Sequence, residues 1–404
     1  MTVFCIKVTK VYVGSMKVAI IAYGHADNVI CLAKHLSESS DVTLIFITPG
    51  DHFTRSILDL DLRNLPFGLT TDRQIVRQYI GGDLEKYLNG SLNLYIARMP
   101  SRSIIRDWPR RNLMYIKQIA TFLRSNSFDV VHFNGFSGFQ LYFHRYLRGI
   151  PKVYTIHDYL PHTGEWKLTP LLLNRLYSRL DYQFIQHYDY LSKSFAKFYG
   201  IDSAKVHTVY CGPLEVYNSF VTKKIEEETR TILFFGRISP YKGIEYLTSA
   251  VPDVRRHIPE LKCIIAGSGT IHIDFDNDGE YEVYNHYISN SEIVNLIQRA
   301  SLIVLPYTDA THSAVLMTAY AFSKPVVASA VGGIPEVVVD NVTGHLVPPR
   351  DVQALGAAII DILDNEHKRE RMKQNIKNMC ASGNLSWTRI TDSTLAVYEK
   401  ALRR

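Results

Sequence analysis

The stretch LIVLPYTDATHSAVLMTAYAFSKPVVASAVGGIPE, residues 302–336, reads as strand, polar turn, helix and strand in succession. Residues 302–305 are apolar and branched over the length of a strand buried on both faces. The turn at 306–313 is polar, 314–322 run at helical spacing, and 324–329 form a second buried strand. Gly332-Gly333 then opens a turn towards Glu336. A βαβ unit of this kind belongs to a parallel sheet, whose ligands collect beyond the carboxyl ends of the strands. The polar turn lies on that edge, and the helix behind it offers backbone N–H groups and the positive end of its dipole. A phosphate-bearing ligand suits the place. Every α/β domain also has such loops for purely structural reasons, so shape alone leaves both readings standing.

The rest of the chain sets the frame around this unit. Its 404 residues imply two or three domains. With 46% apolar and 21% charged residues it is a folded globular chain rather than a disordered one. It contains no apolar run of ~20 residues that could span a bilayer. Charges inside the opening MTVFCIKVTKVYVGS argue against a signal peptide. Five scattered cysteines without a Cys-x-x-Cys pair suggest neither a disulfide framework nor a zinc site, which fits a reducing cytoplasm. Residues 1–215 carry 25 Lys and Arg against 17 Asp and Glu, and the remainder 20 against 22, so the expected anionic partner meets one half only.

In the first half, residues 17–23 and 42–48 read as strands about a helical segment at 27–38. The connecting turn Tyr23-Gly24-His25-Ala26 lacks the full dinucleotide fingerprint. Residues 50–100 resist ordering. Beyond them Arg98, Arg102, Arg106 and Arg110 recur every fourth position among Ile104, Ile105, Trp108 and Arg111. This suggests a basic surface, with Arg106, Trp108, Arg110 and Arg111 on anionic headgroups, or else a solvated helix face broken at Pro109. Two further strands end in histidines, His132 and His157. His132 reads equally as a core histidine, whereas Asp158 beside His157 favours a site role for the latter. Strands at 182–186 and 206–210 complete the sheet, and the charged run 223–228 marks a linker.

The second half opens with the strand 232–235, followed by Gly236-Arg237-Ile238-Ser239-Pro240-Tyr241-Lys242-Gly243. Arg237 offers a two-pronged fork and Lys242 a point charge at a strand's carboxyl end, a pair suited to a diphosphate. Two solvated loop cations are the plainer alternative. The strand 263–266 runs into Gly267-Ser268-Gly269, and the final segment, 387–402, is amphipathic.

These motifs resemble the family 4 glycosyltransferases of the GT-B fold. The matching residues are DVVHFNG at 129–135, TIHD at 155–158, FFGRISPYKG at 234–243, AGSG at 266–269 and KPVVASAVGGIPEVV at 324–338, in family order. The resemblance implies two Rossmann-like doubly wound domains facing across a cleft. Residues 1–215 would bind the acceptor and 216–386 the donor, with the helix at 387–404 crossing back to the N-terminal domain. It also implies a retaining hexosyltransferase that takes its sugar from a UDP- or GDP-type nucleotide sugar and needs no metal or other cofactor. A role in bacterial surface polysaccharide or glycolipid assembly follows, with a lipid-linked or saccharide acceptor and no nucleic acid. The place would be cytoplasmic, with peripheral contact to the inner face of the cell membrane.

The same resemblance makes His157, Arg237 and Lys242 catalytic. Gly24, Gly236, Gly267, Gly269, Thr311, His312, Ser313, Ala314, Val315 and Thr318 become donor contacts, with the base near His286, Tyr287 and Ile288. The chain departs from the pattern at one place. Two glutamates that the family often carries eight positions apart fall here on Ala310 and Thr318. Thr311, Ser313 and Thr318 are expected to take over with hydroxyls. The alternative is a catalytically silent GT-B protein that binds a nucleotide sugar or a partner.

Overall fold

A computed structural model describes residues 15–100, 109–135, 137–160, 168–270 and 281–403. Two α/β layers divide these residues. The first sheet holds β1 (Met16–Ala22), β2 (Ser40–Pro49), β5 (Gly68–Thr70), β6 (Asn93–Met99), β7 (Val130–Asn134), β8 (Lys152–Thr155), β9 (Gln183–Gln186) and β10 (Val206–Thr208), in the order β10-β9-β8-β7-β1-β2-β6-β5. All pairs are parallel except β5 against β6. The intervening β3 (His52–Arg55) and β4 (Leu58–Asp61) form a separate hairpin.

The second sheet is wholly parallel. It runs β13-β12-β11-β14-β15-β16, built from β11 (Thr231–Phe235), β12 (Lys262–Ala266), β13 (Tyr281–Tyr284), β14 (Leu302–Leu305), β15 (Val326–Ser329) and β16 (Gly344–Val347). The quoted stretch is therefore β14, the helix Ala314–Ala321, and β15. Every residue of β11, β14 and β15 is buried, as their unbroken apolar runs require of strands covered on both faces. Chain order reverses at β1 in the first sheet and at β11 in the second, and crevices for ligands open at such points.

The region 50–100, unordered in the sequence reading, resolves into the hairpin, β5, β6 and the helices Arg73–Ile80 and Gly82–Leu88. Its basic pattern is a different matter. Arg98 sits inside β6, is 7% exposed, and binds Asp51 and the carbonyls of Arg63 and Leu65, so it cannot join a surface stripe. Arg106 and Trp108 lie outside the described residues. Arg110 and Arg111 belong to the helix described over Pro109–Ser125.

The helix Trp387–Leu402 packs on β7, β8, β9 and the helix Ala26–Leu36 of the first layer. Its Trp387 Nε1 donates to the Pro213 carbonyl at 3.1 Å, and its Tyr398 hydroxyl meets His132 Nδ1 at 2.8 Å. His132 is 0% exposed and also touches Thr155 Oγ1 at 2.7 Å, the satisfied core histidine of the two readings. In the charged linker run Lys223, Lys224 and Glu226 are exposed, while the two glutamates that follow are engaged. Glu227 pairs with Lys324 at 2.7 Å and Lys373 at 2.9 Å, and Glu228 pairs with Arg299 and Lys262.

Candidate active site

The first sheet delivers imidazoles from three strand ends. β1 leads to His25, held at φ 49° in the left-handed region, β8 to His157 and β9 to His187. The His25 and His157 rings stack at 3.6 Å between centroids and 15° between planes. His312, from the turn after β14, approaches them to 5.7 and 5.4 Å.

The hydrogen bonds behind this wall fix its protons. His187 Nδ1 lies 3.0 Å from the Val209 carbonyl, which only accepts, so Nδ1 carries the hydrogen and Nε2 accepts. His157 Nδ1, 3.2 Å from that Nε2, must then donate, and its own Nε2 is left as an acceptor beside the Asn134 amide at 2.9 Å. The pair is satisfied when Asn134 turns its NH2 to the ring, a group otherwise buried without a partner. Burial, then the neighbouring imidazoles, hold His157 well below the usual histidine range. Burial also pushes His187 down to about 4. His157 is thus a neutral ring with both nitrogens committed inside the fold, which makes it a rigid wall and a poor proton acceptor.

The second sheet supplies the cations. β11 runs into Gly236 (φ 116°) and β12 into Gly267 (φ 153°). A Cβ on Gly267 would stand 1.8 Å from the Gly236 carbonyl oxygen, so these two backbones can approach only because residue 267 is glycine. Arg237 follows directly, its Nη2 3.2 Å from the Tyr241 hydroxyl. Lys242 ends a short turn, with Nζ 3.7 Å from the Tyr307 ring centroid and 5.2 Å from that of Tyr241. Burial pushes the Lys242 ammonium down to about 8. It feels Arg237 and, across the cleft, Asp158.

Between the layers lies a cavity of about 450 Å³ lined by Gly236, Arg237, Gly267, Ser268, Tyr287, Ile288, Ala314, Val315 and Thr318, with Asp27, Ser56 and Tyr217 opposite. Other expected contacts sit elsewhere. His286 turns away to Glu292 at 2.9 Å, and Gly269 pairs as a bridge with Ile238. Gly24 lies against Gly135 behind His25. A second hollow of about 270 Å³, at the opposite ends of β8 and β9, is remote from these groups.

The expected hydroxyl substitutes are all engaged within the protein. Ser313 caps its helix by accepting from Leu316 N at 3.2 Å, and Thr318 donates to the Ala314 carbonyl at 2.9 Å. Thr311 donates to Asp158 of the other half. The sequence reading passed over three residues of this site. Asp27, 4% exposed in the cavity wall, has its carboxyl raised by burial. His25 takes a turn position that glycine usually fills, and His187 ends β9 as His157 follows β8. A histidine recurring at successive strand ends was the signal available.

Comparison with known proteins accounts for both halves. A model of "Glycosyltransferase Family 4" matches residues 79–212, and one of "Glycosyl transferases group 1" matches residues 218–379. The chain belongs to the family 4 glycosyltransferases. An uncharacterised glycosyltransferase of Methanocaldococcus jannaschii is 30% identical over 44% of this chain and 47% of its own length. The chain thus spans about half the length of the curated relatives it matches. Among solved structures, a glycosyltransferase of Rickettsia africae superposes with a TM-score of 0.65 at 15% identity over 97% of this chain and all of its own. HepE of Anabaena, solved with UDP-glucose, gives 0.63 at 14% over 95% of this chain and all of its own. These likenesses establish the GT-B fold.

In this family 4 chain the halves touch around the cavity. Besides Thr311, His312 Nδ1 comes within 3.7 Å of Asp158. Asn290 Nδ2 donates to the Ile57 carbonyl at 2.9 Å, and the Tyr287 hydroxyl donates to the Ser56 carbonyl at 3.5 Å. Glu336 accepts from the backbone N–H groups of Asp189 and Tyr190, both at 2.8 Å. A carboxylate from one half therefore caps the helix Asp189–Tyr199 of the other.

Among the described residues one group of side chains could reach a shared metal ion, His25, His157 and His312, whose ligand atoms lie within 4.8 Å of one another. The geometry fits an ion poorly. A metal must lie near the plane of each imidazole that binds it, and two rings stacked almost parallel cannot both point at one ion.

Proposed function

We propose that this chain transfers a sugar from a nucleoside-diphosphate sugar, of UDP or GDP type, to a hydroxyl acceptor with retention of configuration. The donor occupies the cavity between the halves, and the acceptor approaches along the first sheet, from a lipid-linked or saccharide carrier. The observation that carries this reading is the position of Arg237 beside Gly236 and Gly267 at the cavity wall, with Lys242 facing Asp158 across the cleft.

The reaction follows from where charge develops. The bond from the sugar C1 to the diphosphate oxygen breaks, and negative charge grows on the leaving phosphate. Arg237, Lys242 and the N–H groups at the start of the helix Ala314–Ala321 are fixed beforehand and bind that charge more tightly than the ground state. These groups supply positive charge without a metal. The acceptor oxygen bonds to C1, and its proton passes to the departing phosphate oxygen, so no side chain need act as base. His157 and His25 form the wall beside the reacting sugar. Asp27 and Asp158, from the opposite half, offer carboxylates where the family pattern at Ala310 and Thr318 has lost them.

The committed hydroxyls of Thr311, Ser313 and Thr318 favour a second reading, a silent protein that binds a nucleotide sugar without turnover. A panel of UDP-, GDP- and ADP-sugars separates the two. Slow release of nucleotide, abolished in Lys242→Ala, supports transfer. Tight binding in calorimetry with no hydrolysis, and no transfer to any acceptor, supports the silent protein. Binding to none of the panel sinks both.

A further inference from the structure

Outside the cleft, two neighbouring helices turn an unusual face to solvent. In Leu168–Tyr177, Leu172 is 65% and Leu176 44% exposed, and Arg175 and Arg179 are exposed beside them. The spacing of three and four puts Leu172, Arg175 and Leu176 on one stripe of the helix, and Arg179 follows two residues beyond its end. In Asp189–Tyr199 the same arrangement recurs, with Tyr190 at 56% and Phe198 at 53% beside exposed Lys193 and Lys197. The helices meet: Arg175 Nη1 reaches the Tyr199 carbonyl at 3.4 Å, and Phe198 contacts Tyr159 at 6.3 Å between ring centroids. Four large apolar side chains thus stand outward on this patch, interleaved with four cations. The first helix carries no acidic residue and the second only Asp189, at its start.

We propose that this face docks on an anionic lipid bilayer. Apolar side chains that would otherwise remain in water enter the boundary between headgroups and acyl chains, while Arg and Lys stay at headgroup level and meet negative charge. A protein partner of ordinary composition would have to answer four alternating cations with matched acids, whereas an anionic membrane offers mobile negative charge everywhere. The patch also adjoins the cleft, since Tyr159 follows Asp158 in the chain and touches Phe198. Docking here brings the acceptor side of the cleft to the bilayer surface. In the choice of a lipid-borne acceptor, though not in the docking itself, this inference rests on the transfer reading above.

Flotation of the whole protein tests it, with vesicles of phosphatidylcholine alone and of equimolar phosphatidylcholine and phosphatidylglycerol. The protein is expected to float with the anionic vesicles at low salt and to be released by high salt. Lys193→Glu with Lys197→Glu should lower partitioning roughly tenfold or more. Leu172→Ser with Leu176→Ser should abolish it while donor hydrolysis in solution stays unchanged. Equal flotation of wild type and both double variants overturns the proposal, as does no flotation at low salt. So does a dimer in sedimentation that Leu172→Ser with Leu176→Ser dissociates, which would make the face a contact between copies. Hydrolysis without flotation leaves the transfer reading intact, and flotation without hydrolysis leaves the docking intact.

Discussion

Lys242 is the residue on which the proposed chemistry turns, and its surroundings make it readable by titration. The ammonium lies against two aromatic rings, and burial lowers its proton affinity to about 8. In the free protein it therefore loses its charge as pH rises through that value. A group required in its protonated form depresses kcat/KM on the alkaline side of its free-enzyme pKa. The expected profile falls above pH about 8. In Lys242→Arg, where the guanidinium stays charged, that limb should vanish even if the maximal rate is lower. Lys242→Ala should lose roughly 10²–10³-fold in kcat, the scale of removing one preorganised group that binds developing charge. A profile unchanged in shape between wild type and Lys242→Arg would show that another group governs the limb. His157 makes the opposite prediction. With both nitrogens tied to Asn134 and His187, it should contribute no acid limb of its own, and Asn134→Asp, which deprives Nε2 of its donor, should weaken donor use by disturbing the ring's position. The check is a rise in donor KM larger than the fall in kcat.

Elements were legible where the period was clear. The runs 232–235, 263–266, 302–305 and 324–329 are short and apolar, and each became a central strand to within a residue or two. The segment 50–100 was opaque because its β3–β4 hairpin, reversed β5 and two short helices are each too brief to show a period, and tertiary contacts decide them. Arg98 misled because spacing of four cannot tell a helix face from a strand that ends in a buried, hydrogen-bonded arginine. In the site, Arg237 and Lys242 were visible as cations after a strand and a glycine. His25 and Asp27 were not, since their roles depend on the opposing half. So does that of Glu336, which the sequence shows only as the acid at the end of the Gly332-Gly333 turn. Its two bonds to the first N–H groups of the helix Asp189–Tyr199 join the halves at one end of the cleft. Glu336→Ala should cost about 1 kcal/mol, the scale of a lost cap, most of it expressed as opening of the cleft rather than unfolding. Small-angle scattering should report a larger radius of gyration without donor, and donor KM should rise. A variant indistinguishable in both would mean that the other contacts hold the halves unaided.

At the scale of the whole molecule, the first layer buries three imidazoles that the fold keeps neutral. Burial holds His132 at about 3 and His187 at about 4, and burial followed by neighbouring imidazoles holds His157 well below the ordinary value. In the unfolded chain each returns to about 6.5. Between the two values the unfolded chain binds protons that the folded chain refuses, so stability rises with pH there. The contribution is unpenalised above about pH 6.5 and erodes as the solution is acidified, levelling for each group only near its folded value. At pH about 5 the loss is on the order of 2 kcal/mol for each histidine that stays buried and neutral. Because a domain is stable by only about 5–15 kcal/mol, the sum is enough to bring the first layer near its limit. The three residues are also linked to the rest of the fold, His132 through Tyr398 to the helix Trp387–Leu402 and His187 through the carbonyl of Val209. Acid should therefore loosen the returning helix together with the first sheet. Denaturant unfolding between pH 8 and pH 5 should give a steadily falling free energy, and His132→Asn, which removes one titrating group, should flatten the slope by about one proton even though it lowers stability at neutral pH. A midpoint that does not move over that range would mean that these imidazoles are protonated in the folded protein, and that the neutral wall beside the cleft does not exist.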